Sequence, residues 1–178
     1  MSLAWAGLVA GLITVSLQGA GQARAGTQDL TLILSFRLFC GSERPDYARL
    51  DHQATEAGLQ LLQKRDVPRP DGSYLHQKMW LVTQEGGQHA VISLETNGPA
   101  GYLTACGIAS PDLNTEEFKA ALAASFKLAR PTSEKVAPGT AIRTTRWDGV
   151  FGPGTVLQLS QGTGAASLDY EVLGPRRR

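Results

Sequence analysis

Cys40 and Cys106 are the only cysteines in the 178-residue chain, and a covalent tie between them would constrain the fold more than any other pair of side chains. Whether they are tied depends on where the chain folds. Leu3–Leu17 is an uncharged apolar run of 15 residues, followed by a small-x-small sequence ending Ala23-Arg24-Ala25. That run is shorter than the roughly 18 to 20 residues a helix needs to cross a bilayer. The pattern predicts a cleaved secretory signal over residues 1–25. An uncleaved anchor is the other reading, because the segment before the run has no Lys or Arg. No cysteine lies near the cleavage point, so a lipoprotein is not supported.

An exported chain meets oxidising conditions, and an even cysteine count there reads as a disulfide. Closing the loop between positions 40 and 106 stabilises the fold by roughly 4 kcal/mol in the chain-entropy model. A reactive thiolate instead needs a helix N-terminus or a neighbouring histidine to lower its pKa. Cys106 lies too far ahead of the expected helix cap, Asn114, for that, and no Cys-x-x-Cys pair is present.

Removing 25 of 178 residues leaves 153, a length that suits one domain over residues 26–178. Such a chain buries enough surface for its own core. Arg24 leaves with the signal, so Lys+Arg drops from 17 to 16 against 16 Asp+Glu. Neutrality removes the electrostatic argument for a nucleic-acid partner. The basic cluster Pro175 to Arg178 reads as a solvated tail.

Asp29 to Cys40 fits either a strand, by alternation, or a helix, by its leucine content and its Ile33, Phe36, Cys40 spacing; helix is preferred. Tyr47, Leu50, Ala54 and Ala57 recur at helical spacing, with Gly58 as the stop. Lys64 to Ser73 is expected to be a Pro/Gly/Asp loop. Three strands follow: Tyr74 to Gln84, Gln88 to Glu95 and Tyr102 to Ala109. Asn114 is expected to cap a helix, with Leu113 and Phe118 as its hydrophobic staple and Phe118, Ala121, Leu122, Ser125 and Phe126 as its buried stripe. After a loop at Arg130 to Gly139, three more strands are expected: Thr140 to Trp147, Thr155 to Ser160 and Ala166 to Leu173.

The order helix, long loop, three strands occurs twice, which suggests an α-βββ repeat in which Trp80 matches Trp147. The spacing from Gly98 to Cys106 also matches that from Gly162 to Tyr170. The expected fold class is α+β. An antiparallel sheet of about six strands carries helices on one face, in the order α-α-βββ-α-βββ. A helix ending in "FRLFC", a second helix, and a strand leading through "TACGIASPDLN" to a capped helix resemble small exported α+β proteins of unknown function from Gram-negative bacteria. The resemblance spans most of the mature chain. It implies a periplasmic α+β domain with a disulfide, and brings no catalytic residues with it.

No metal site is expected. His76 and His89 fall about 20 Å apart on neighbouring strands, His52 belongs to a helix, and scattered surface histidines are the better reading. No Gly-x-Ser-x-Gly elbow occurs. Glu116 and Glu117 suit the first turn of a helix. Gly149 to Val156 leads into a strand, so it is a turn and not a phosphate loop. The one suggestive cluster is Arg146, Trp147 and Asp148, either a recognition patch or a tryptophan plugging the sheet with solvated neighbours.

The chain thus reads as a periplasmic or secreted non-catalytic module that binds a protein or small ligand on the sheet face left open by the helices. No cofactor is expected, and no membrane span after signal removal. The alternatives are a hydrolase or transferase of unrecognised type, with a site near Arg146, Asp148 and Tyr170, and a thiol redox protein.

Overall fold

The computed structural model describes residues 25–41, 44–84 and 87–176. Of the expected signal, residues 1–24 lie outside the described residues. Helix α1 (Ala25–Phe39) and helix α2 (Tyr47–Glu56) come first. Strands β1 (Gln60–Pro68), β2 (Tyr74–Gln84), β3 (Gly87–Gly98) and β4 (Gly101–Ala109) follow. A short 3-10 turn, Pro111–Leu113, leads into α3 (Glu116–Phe126). Strands β5 (Ser133–Val136), β6 (Arg143–Asp148), β7 (Thr155–Gly162) and β8 (Ala165–Gly174) complete the chain. The protein is α+β, with one antiparallel sheet in the order β1-β2-β3-β4-β8-β7-β6-β5.

The sheet has 8 strands where about six were expected. The additions are β1, of which residues 64–68 read as a loop, and β5, which falls inside the expected loop at 130–139. Both are edge strands, with most side chains exposed. Neither face of an edge strand need be packed, so the apolar alternation that marks a strand is absent. Charge and proline there discourage pairing with another chain. With β1 and β5 included, the order α-ββββ occurs twice.

Hairpins β3–β4 and β7–β8 close in matching register, Gly98 opposite Gly101 and Gly162 opposite Ala165. Where β4 meets β8, Cys106 lies opposite Tyr170. Counting from these hairpins, Trp147 opposite Leu157 occupies the place of Lys78 opposite Ser93. Trp80, opposite Val91, sits farther along, so the two tryptophans are not equivalent positions.

The main hydrophobic cluster lies on one face. Val91, Cys106, Ile108, Leu168, Tyr170, Leu157 and Leu159 point there, and pack with Ile33 and Phe36 of α1, Leu50 of α2, and Phe118 and Leu122 of α3. Cys40, just past α1, is bonded to Cys106 in β4, tying the first helix to the middle of the sheet. Helix α3 starts one residue later than expected. Thr115, not Asn114, accepts from the Phe118 amide, while the Asn114 side chain donates to the Gly162 carbonyl. Near the tail, Arg176 donates to the Asp71 carbonyl.

Candidate functional site: the helix-free sheet face

Alternation sends every second strand residue to the face that carries no helix. Register lays these residues out in rows. One row runs Arg146, Gln158, Asp169, Gly107, Ile92, Met79. The next runs Asp148, Val156, Glu171, Ala105, Leu94, Gln77. The face is therefore divided. Over β2–β4 it is mostly apolar, with Leu75, Met79, Leu81, Ile92, Leu94 and Leu103 all partly exposed. Over β6–β8 it carries Thr144, Arg146, Asp148, Gln158, Ser160, Ser167, Asp169 and Glu171, together with the apolar Val156 and Leu173.

Asp169 stands at the boundary. Its side chain lies across β4 at Gly107, where a Cβ would overlap Asp169 Oδ1 and sit 2.7 Å from the Leu168 carbonyl. Glycine is needed there because a second side chain has no room. Ser167 Oγ donates to Asp169 Oδ2 at 2.8 Å. Loss of water around the carboxyl pushes its pKa up to about 7; the Ser167 hydrogen bond opposes this and the neighbouring Glu171 charge adds to it. Burial likewise raises Glu171, with Arg146 acting against it. Arg146 Nε donates to Asp148 Oδ1 at 2.7 Å.

The expected patch is split between the faces. Arg146 and Asp148 belong to the helix-free face, whereas Trp147 is buried on the other, its indole N–H donating to the Ala129 carbonyl at 3.2 Å. Trp147 floors an open groove of about 250 Å³ between α3 and the chain after it, bordered by Glu116, Lys119, Ala120, Ala123 and Pro131. Tyr170 is buried on the helix side beside Cys106, so it does not join Arg146 and Asp148.

The surface reading holds for His52 and fails for His89. His52 is exposed and pairs with Glu56 at 3.3 Å. His89 is buried under α1, where Ser35 Oγ lies 2.6 Å from its Nε2, and burial lowers its pKa to about 4. His76 packs between the rings of Tyr47 and Tyr74, with Nδ1 2.9 Å from Asp66. This polar cluster on the helix side of β1–β3 also holds Lys78, 2.6 Å from Asp51, and Glu95, which accepts from the Tyr74 and Tyr102 hydroxyls. The Tyr47 hydroxyl is buried without a partner, and its pKa rises to about 12 through burial and the nearby acids. The cluster's charges largely satisfy one another.

Among the described residues no group of three or more His, Cys, Asp or Glu could hold a metal ion. No described helix is long and apolar enough to cross a membrane. Sequence reasoning missed Asp169 and Glu171. The alternation of Leu168, Tyr170 and Val172 was the signal that places them on the outward face. No protein-family model matches the chain, and neither does any curated protein or solved structure.

Proposed function

We propose that this is an exported, non-catalytic binding module whose helix-free sheet face takes an extended protein segment bearing apolar side chains and a cationic group. The Cys40–Cys106 bond stabilises the scaffold from behind. The observation that carries the reading is the division of that face: partly exposed aliphatic side chains on β2–β4 adjoin two desolvated carboxyls on β8. Covering each aliphatic chain contributes on the order of 1 kcal/mol. A Lys or Arg placed over Asp169 and Glu171 supplies the charge partner that burial makes favourable. Export to the periplasm or beyond is part of the same reading, supported by the Leu3–Leu17 run, the Ala23-Arg24-Ala25 site and the disulfide.

Binding of a cation lowers the pKa of Asp169 from about 7, so affinity rises with pH up to about 7 and levels off above it. A photo-reactive residue at Leu94 tests the reading in living cells, against one at the exposed Ala124 of α3 as control. Adducts are expected from Leu94, reduced at least fivefold by Asp169→Asn with Glu171→Gln. Adducts from Ala124 alone would overturn the assignment. A hydrolase signal from purified protein that disappears in Asp148→Ala would replace it with the catalytic reading.

A further inference from the structure

Helix α1 carries apolar side chains on two sides. Leu32, Ile33, Phe36 and Phe39 are buried, yet Leu30, Leu34 and Leu38 are 54%, 62% and 69% exposed. Steps of four residues advance about 40° around a helix, so the three form one line about 12 Å long. A helix already docked by one face, with leucines along the other, has a second apolar surface to satisfy.

At the C-terminal end of that line the surroundings are basic, whereas Asp29, Asp112 and Glu117 lie near one another at its N-terminal end. Arg37 on the same side donates to the Ser125 carbonyl and places its guanidinium 4.7 Å from the Phe126 ring centre. Helices α1 and α3 run side by side in the same direction: Gln28 bonds Asp112 just before α3, and Phe36 packs on Phe126 at its end. Both C-terminal ends therefore share one end of the molecule. Exposed Lys127 and Arg130 follow α3, exposed Arg44 follows α1, and no acidic residue occurs between Lys119 and Glu134. Glu43 precedes Arg44 in the sequence, and the exposed Asp46 caps α2 by accepting from the Arg49 amide.

We propose that the outer face of α1 rests on an anionic lipid bilayer, with Leu30, Leu34 and Leu38 entering the interface and Arg37, Arg44, Lys127 and Arg130 at the headgroups. This is the chemistry of an interfacial amphipathic helix. A second copy of the chain fits less well, because three leucines offer far less than the roughly 800 Å² each partner presents in a stable dimer.

The test is co-sedimentation of the exported, disulfide-bonded protein with phosphatidylcholine vesicles, with and without phosphatidylglycerol. The triple variant Leu30→Ser, Leu34→Ser, Leu38→Ser is expected to lower partitioning at least tenfold on the anionic vesicles. Replacing Arg44, Lys127 and Arg130 by Gln should lower it severalfold there and leave pure phosphatidylcholine unaffected. If the triple variant does not form the disulfide, Leu34→Ser alone gives the same readout at smaller amplitude. Wild-type protein that stays in the supernatant would overturn the proposal. So would a triple variant that binds undiminished, or a leucine-dependent dimer in sedimentation velocity.

Discussion

His89 and Asp169 sit on opposite faces of one sheet; His89 is buried, and Asp169 is partly exposed with a carboxyl that has lost much of its hydration. His89 lies beneath α1, which brings Ser35 to within 2.6 Å of its ring nitrogen. Asp169 lies under no helix, and the hydroxyl donated to it comes from Ser167 on its own strand. On the covered face a helix supplies what the buried polar group requires. On the other face the carboxyl keeps an elevated pKa, which a cation from outside would relieve. The comparison teaches that the helix side meets the needs of its buried histidine from within, while the opposite side keeps a carboxyl whose charged form desolvation disfavours, which is where the proposed function places a cation.

Substitutions should separate the two faces most sharply by stability. Phe36, fully buried and edge-on to Phe126, should lose about 3–5 kcal/mol on change to Ala, measured by urea unfolding. Ile92→Ala on the helix-free face should cost about 1 kcal/mol. Equal losses would break the distinction. Next in size, Gly107→Ala should cost about 1–3 kcal/mol, because the new methyl meets both the Asp169 carboxyl and the Leu168 carbonyl. Asp169→Gly in that background should recover only part of the loss, since the carbonyl stays in place.

Acid titration sharpens the contrast, since the two groups act in opposite directions. The folded pKa of Asp169, about 7, is above its ordinary 3.8. Its contribution is thus most favourable below 3.8 and is lost as pH climbs to 7. His89, lowered from 6.5 to about 4, contributes fully above 6.5 and loses that contribution as pH falls to 4. Asp169→Asn should therefore leave a protein whose stability rises from pH 4 to 6.5, and His89→Gln one whose stability falls between pH 4 and 7. Each trend is on the order of 3–4 kcal/mol over its full pH range, read from unfolding midpoints across pH. The smallest effect belongs to the exposed Arg143–Glu116 pair, 2.7 Å apart, where Glu116→Ala should change stability by no more than about 0.5 kcal/mol.

The helices and inner strands were legible because each buries one face, and burial writes a period into the residues: Leu50 and Ala54 in α2, Leu168, Tyr170 and Val172 in β8. The edge strands were not. Lys64, Arg65, Asp66 and Pro68 of β1 carry the residues of a loop because nothing packs on them. The disulfide was readable from compartment and count alone, as the Cys40–Cys106 bond bears out. The charged boundary was half-readable. Alternation places Asp169 and Glu171 outward, and a glycine inside β4 hints at a close approach. Only the β4–β8 register shows that Gly107 is what Asp169 crosses. The burial of His89 was hidden for the same reason, since it depends on which strand α1 covers.

The claim that the helix-free face binds is tested most directly by backbone NMR of the disulfide-bonded protein, titrated with a peptide alternating Leu and Lys. The account predicts shifts confined to outward-facing positions of β2–β4 and β8, with affinity falling at least tenfold in Asp169→Asn with Glu171→Gln. Shifts that map to α1, α2 or α3, or an affinity indifferent to those two carboxyls, would contradict it.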